Sequence, residues 1–328
     1  MPNESDVIDV TVVVVNYRTP QLVIQCLDSL SAQQSDGIRC KVLVVDNNSG
    51  DSSVEILSAG IIKNGWAQWV SVMPLARNGG FAYGNNKALE KILSDPVVPE
   101  FIWLLNPDTT VKKDACHPLV KFLQENKEVG IAGSRLEDPD GTAQVSAFRD
   151  SSVMGELLNA LRLGVFDRIF IRWLVAPAEI PSGSTKVDWV AGASMMMKSE
   201  MFRQVGLFDE EYFLYFEEVD FIVRAREKGW TCWYVPESRV VHLVGGASGI
   251  SDTRKKAPRR PSYWFDSRRR FFLKHLGIWQ LILADSLWML GYSLWRFRRL
   301  IQRKPDSDPP YFLGDFFRHS IFRRGWRL

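Results

Sequence analysis

The sequence predicts an α/β fold, a mostly parallel sheet with helices on both faces, followed by a helical appendage rich in Arg and Trp. Three observations carry this. Val10-Thr11-Val12-Val13-Val14-Val15 is a β-branched run too continuous for a half-exposed strand, so it belongs in the middle of a sheet covered on both sides. A second apolar run, Lys41 to Val45, follows a helical pattern through Leu22, Leu27 and Leu30, and strand, helix and strand in that order make a right-handed βαβ unit. The third is charge: the chain is formally +3, yet Arg254 to Leu328 carries 18 Lys and Arg against 5 Asp and Glu. A basic tail on an acidic body fits nucleic acid or an anionic membrane surface.

A chain of 328 residues with 46% hydrophobic residues supports one large domain and an appendage, divided here at 1–250 and 251–328. Cys26, Cys40, Cys116 and Cys232 form no Cys-x-x-Cys pair, which points to buried thiols in a reducing compartment. Met1 to Asp9 is acidic and polar, unlike a secretory leader, so the body is expected in the cytoplasm.

Taken in order, the first two strands end at Asn16 and at Asp46-Asn47-Asn48-Ser49, and the carboxyl ends of such strands line the ligand crevice of an open, Rossmann-like sheet. Neither a Gly-x-Gly-x-x-Gly turn nor a Gly-x-x-x-x-Gly-Lys-Ser/Thr loop follows them, which disfavours dinucleotide enzymes and P-loop NTPases. Trp69 to Met73 reads as another strand. It leads into Arg77-Asn78-Gly79-Gly80-Phe81-Ala82-Tyr83-Gly84-Asn85-Asn86, where paired glycines before a helix N-terminus suit close approach to a phosphate. Asn78, Gly79, Phe81 and Asn85 are the nucleotide candidates. Phe101 to Leu105 is a buried strand that stops at Asn106-Pro107-Asp108, delivering a carboxylate suited to a hard cation such as Mg2+. A strand from Trp189 to Met197 contains Gly192, which leaves room for a ligand.

Phe213-Leu214-Tyr215-Phe216-Glu217-Glu218-Val219-Asp220 then places three carboxylates behind aromatic residues. Desolvation and mutual repulsion raise carboxylate pKa values, as a general base near neutral pH requires, although acidic residues also suit a first helical turn. Thr231 to Val235 and Arg239 to Val241 read as short strands. His242 follows, just before a Gly-rich loop that ends at Gly249, and is expected to return to the sheet edge beside a metal on Asp108.

These motifs in this order resemble family 2 glycosyltransferases of GT-A fold, most closely the rhamnosyltransferase-like branch that builds bacterial surface polysaccharides; the resemblance covers residues 10–249. It implies that Asp46 contacts the nucleobase, and Asn16 and Asn78 the nucleotide of a dTDP- or UDP-sugar. Asp108 would be the last carboxylate of the Asp-x-Asp metal motif, with Asn106 in place of the first, and His242 the second ligand for Mg2+ or Mn2+. Glu218 would be the catalytic base of an inverting transfer, with Asp220 a helper and Glu217 positioning the acceptor or the helix.

The tail from Leu276 to Trp295 approaches the length of a membrane span, but Asp285 sits at its centre at a cost of about 2.5–3.5 kcal/mol. Interfacial helices on the inner face of the cell membrane are therefore expected, meeting a glycan or polyprenyl-diphosphate-linked acceptor. A packed helix or homo-oligomer contact is the second reading. Nucleic acid is disfavoured, since no recognised binding module accompanies the basic residues. Two further readings compete with sugar transfer: a nucleotidyltransferase of sugar phosphates, which lacks its usual basic Gly-rich loop, and a catalytically silent nucleotide-binding scaffold.

Overall fold

The computed structural model describes residues 8–31, 33, 38–164, 169–177, 179–243 and 257–326. The Gly-rich loop after Leu243 and the expected boundary at 250 lie outside the described residues. Two compact units are present. The first comprises Met1–Ala147, Ile180–Phe213 and Glu217–Ser251; the second comprises Phe148–Glu179, Leu214–Phe216 and Asp252–Leu328. A two-residue strand, β7 (Ala147–Phe148), falls where the chain first passes from one unit to the other.

The first unit is built on a nine-stranded sheet of described residues. In chain order its strands are β1 (Ile8–Asn16), β2 (Ile38–Asp46), β3 (Val70–Pro74), β4 (Phe101–Leu105), β5 (Thr109–Val111), β6 (Val129–Glu137), β8 (Thr185–Val187), β10 (Ser194–Lys198) and β11 (Thr231–His242). Their order across the sheet is β3-β2-β1-β4-β10-β6-β11-β5, with β8 pairing with β11. The first four strands are parallel; β10 enters antiparallel between β4 and β6.

Successive side chains of a strand point to opposite faces, so a run buried throughout feeds two cores. The valines of β1 do this. Val10, Val12 and Val14 pack with Leu27 and Leu30 of α1 (Pro20–Ser31), Leu57 of α2 (Ser53–Lys63) and Leu119 of α4 (Cys116–Glu125). Val13 and Val15 pack on the other face with Ala88 and Leu89 of α3 (Gly80–Leu93). That second core also receives Phe202 of α6 (Phe202–Val205) and Phe221 of α7 (Glu217–Glu227).

Three stretches differ from the sequence expectation. The strand expected over Trp189 to Met197 is divided into β9 (Trp189–Val190) and β10, with a turn at residues 191–193. The two short strands from Thr231 are one strand, β11, whose pairing with β6 slips between Val235 and Arg239. Pro236 lies in that gap and has no N–H to give the ladder. Strands β5 and β6 were not anticipated.

In the second unit, α5 (Val153–Leu161), α8 (Ser262–His275), α9 (Ile278–Ile301), α10 (Phe312–His319) and α11 (Ile321–Arg324) enclose an aromatic core. Trp288 stacks on Phe316 and Tyr292, and Gly291 lets α9 approach Leu157 and Ala160 of α5. Asp285, which counted against a membrane span, is fully buried here. Its carboxylate accepts from Arg268 at 2.7 Å and from the Ile321 N–H at 2.9 Å, while Arg268 also reaches Glu156 at 2.8 Å. Among the described residues no helix is long and apolar enough to cross a membrane. All four cysteines are buried and none forms a disulfide.

Candidate active site

Strand register assembles the site. The parallel pairing of β1 with β2 sets Asn16 opposite Asp46, and β2 with β3 sets Asp46 opposite Pro74. The β4–β10 pairing sets Ser194 opposite Leu105, and the Asn106 N–H bonds to the Ala193 carbonyl at 3.0 Å, which brings Gly192 to the same edge. Finally β11 runs antiparallel to β5 with His242 opposite Thr109.

At the β1–β2 end the polar groups are tied to one another. Asn16 is fully buried; its Nδ2 donates to Asp46 Oδ1 at 2.7 Å and its Oδ1 accepts from the Thr19 backbone at 3.1 Å. Ser49 donates from Oγ to Asp46 Oδ1 at 2.6 Å and from its backbone N–H to Oδ2 at 3.1 Å. A carboxylate offers about four lone-pair sites, so Asp46 keeps acceptor capacity for a ligand N–H. Arg18, in a left-handed conformation with φ 60°, donates through Nε to the Ser49 carbonyl at 2.8 Å and is exposed beside this cluster.

Asn47, which the sequence reading gave no role, joins the loop after β2 to the loop before α3. Its Nδ2 donates to Asn78 Oδ1 at 3.0 Å and to the Gly80 carbonyl at 2.9 Å. Gly80 has φ +88°, and a Cβ there would stand 2.0 Å from the Phe213 carbonyl oxygen. The glycine therefore lets the chain ahead of α7 lie against the N-terminus of α3, where the Phe81 N–H donates to that oxygen at 2.8 Å. Gly79 precedes it as the helix cap. Asn85 is turned back on its own helix, donating to the Phe81 carbonyl at 2.9 Å. Asn86, another residue given no role, clamps the Phe208 backbone in both directions at 2.9 Å.

At the opposite end, His242 Nε2 is 3.5 Å from Asp108 Oδ1 and 3.5 Å from Asn106 Nδ2. Among the described residues no group of three or more His, Cys, Asp and Glu is arranged to hold a metal. Asp108 and His242 nonetheless fit a divalent cation completed by diphosphate oxygens, because such ions commonly take one or two protein ligands and the rest from substrate and water.

The three carboxylates of α7 have different surroundings. Glu217 is buried, Glu218 half-buried, and one oxygen of each is shut away from water without a hydrogen-bond partner. Burial, then repulsion from Glu218, pushes Glu217 well above the usual carboxylate range. Burial also raises Glu218, opposed by the N–H groups of Glu218, Val219 and Gly192 that point at it. Gly192 thus packs against the Glu218 side chain, where a Cβ would make an ordinary contact at 3.6 Å. Asp220 has no exposed surface; its carboxylate accepts from Arg224 Nε at 2.8 Å and from the Tyr212 hydroxyl at 3.4 Å. Tyr215 and Phe216, directly before Glu217, both take left-handed backbone conformations, φ 71° and 70°, a strained arrangement of the kind that clusters at functional sites.

Residues 11–174 match the profile of glycosyl transferase family 2. The chain belongs to that family. This family 2 glycosyltransferase is 26% identical over 295 residues to N-acetylglucosaminyl-diphospho-decaprenol L-rhamnosyltransferase of Mycobacterium tuberculosis, a match spanning 86% of this chain and 89% of the relative. Among solved structures it resembles GalNAc-T7 with UDP, GalNAc and Mn2+, at TM-score 0.59 and 15% identity over 97% of this chain and 55% of that one. It also resembles the mannosyltransferase PcManGT of Pyrobaculum calidifontis in complex with GDP-Man and Mn2+, at TM-score 0.54 and 17% identity over 97% and 82% of the two chains. The glycosyltransferase has the GT-A fold, a mostly parallel mixed sheet with helices on both sides and further helices toward its C-terminus.

Proposed function

We propose that this glycosyltransferase moves L-rhamnose from dTDP-rhamnose to a hydroxyl of a polyprenyl-diphosphate-linked glycan, inverting the anomeric centre. The observation that carries the reading is the Glu217–Glu218 pair: two adjacent carboxylates, poorly solvated and both raised, with Glu218 packed against Gly192 next to the Ala193–Asn106 bond. Burial raises both, and repulsion from Glu218 adds to the rise at Glu217, whereas backbone N–H groups oppose it at Glu218. Glu218 is then the base. It takes the proton of the acceptor hydroxyl as that oxygen bonds to the anomeric carbon and the bond from that carbon to the diphosphate oxygen breaks.

Asp46 accepts from the nucleobase, and Asn78, Gly79 and Phe81, whose backbone and side-chain bonds fix the loop ahead of α3, shape the wall against which the nucleotide lies. Asn16 and Asn85 act by shaping these loops, and Asp220 by holding α7 through Arg224. Asp108 and His242, with Asn106 beside them, would hold Mg2+ or Mn2+; the ion, when bound, neutralises charge on the departing diphosphate. The sugar and acceptor are inferred from the mycobacterial relative named above.

The C-terminal region is the membrane-facing part, on the inner face of the cell membrane. Exposed Arg318, Arg323 and Arg324 stand with exposed Phe322 and Trp326, a mixture suited to anionic headgroups. A thermal-shift panel of nucleotide sugars, with and without Mn2+, tests the donor. Glu218→Gln should keep donor binding and lose about 10²–10⁴-fold in transfer; equal transfer by the variant removes the base assignment.

A further inference from the structure

Helix α9 buries a face that mixes Leu281, Trp288 and Trp295 with Asp285, Tyr292 and Arg299, and leaves a second, wholly apolar strip exposed. Asp285, Tyr292 and Arg299 are buried in the second unit, where Asp285 meets Arg268 and the Tyr292 hydroxyl donates to Asp308 at 3.0 Å. The outward residues Trp279, Leu283, Leu290, Leu294, Phe297 and Ile301 are 49–80% exposed. At the rotation of an ideal helix they fall in a strip about 60° wide, narrower than the ~100° face of an ordinary surface helix. Leu287, partly buried, completes the series 283, 287, 290, 294, 297, 301, which alternates in steps of four and three. That alternation is the spacing found along the seam of two paired helices.

We propose that this strip packs against α9 of a second copy of the chain. The strip carries no charge. One border is formed by Ser286 and Ser293, small enough for close helix approach; on the other, Arg298 is committed to the carbonyls of Leu161 and Arg162 at 2.6 and 2.9 Å. At half to four-fifths exposure, the six residues offer on the order of 700 Å², close to the ~800 Å² per partner of a standard stable interface. Exposed Arg303 and Lys304 follow the C-terminal end of the strip, so an anionic lipid surface is the competing occupant, and vesicle binding separates the two.

Analytical ultracentrifugation of the full chain at micromolar concentration tests the pairing. The wild type should sediment as a dimer, and the double variant Leu290→Glu/Phe297→Glu, altered only at exposed positions, as a folded monomer with association weakened at least about tenfold. Leu290→Cys treated with a short bifunctional maleimide should give a covalent dimer, since the native cysteines are buried. Both glutamates should leave binding to phosphatidylglycerol vesicles intact. A monomeric wild type, a double variant that stays dimeric, or a double variant that loses vesicle binding would each overturn the proposal, the last by assigning the strip to lipid. Failure of the wild type to bind vesicles would instead count against the membrane reading and leave the dimer standing.

Discussion

His242 Nε2 stands 3.5 Å from Asp108 Oδ1 because the last residue of β11 pairs opposite Thr109 of β5. In the proposed metal position neither residue alone would bind a cation tightly, and a diphosphate would complete the shell. Metal and nucleotide should therefore stabilise the protein together. Wild-type chain at ligand concentrations a hundredfold above the dissociation constant should gain about 2.7 kcal/mol in a melting experiment. Asp108→Asn and His242→Ala should each lose the Mn2+-dependent part of that gain while keeping the metal-independent part. A variant that responds to Mn2+ as the wild type does would remove that residue from the metal position.

Glu217 supplies a pH test. Burial first, and Glu218 second, hold its pKa in the folded chain above the unfolded value of 4.5. The folded state then binds this proton more tightly, so the stabilisation is complete below the unfolded value and is lost as pH rises through the folded one. Glu217→Gln removes the titration. Its melting temperature relative to wild type should climb steadily as pH is raised above 4.5. A constant difference would mean that Glu217 is ionised throughout.

Gly80→Ala would place a methyl group 2.0 Å from the Phe213 carbonyl oxygen at a residue with φ +88°. The left-handed backbone alone costs about 1–3 kcal/mol for a side-chain-bearing residue, and the clash adds to it. The Phe81–Phe213 hydrogen bond should break, lowering both the melting temperature and nucleotide affinity. Gly192→Ala is the control: its Cβ meets Glu218 at an ordinary distance of 3.6 Å and should disturb folding far less.

Asp285→Ala leaves the Ile321 N–H without its acceptor and strips Arg268 of the buried one of its two carboxylate partners. Removing one partner of a buried ion pair typically costs about 3–5 kcal/mol. Chemical denaturation should show that loss. A change below about 1 kcal/mol would mean that Glu156 compensates Arg268 by itself.

The β1 valines, the turn at Asn106-Pro107-Asp108 and the acidic start of α7 were legible because each is written in consecutive residues. Pairing is not. That Ser194 would lie antiparallel beside Leu105, or that β6 would sit between β10 and β11, depends on residues distant in sequence, and β5 is too short to show a pattern. The same reason hid Asn47: its role depends on where Asn78 and Gly80 come to rest. In the tail, helices were expected from length and composition, but the inward face of α9 was not legible, since the arginine that pairs with Asp285 also depends on Glu156 from another part of the chain.

The antiparallel insertion of β10 has a consequence for synthesis of the chain. As it leaves the ribosome, β1 to β4 can pair at once, but the outer edge of β4 must wait for residues 194–198, which emerge after β6 and the whole of α5. Until then an apolar strand edge stands open, the feature most prone to joining a neighbouring nascent chain. Slowed translation between β6 and β10 should therefore lower the yield of folded enzyme more than the same delay placed after β11.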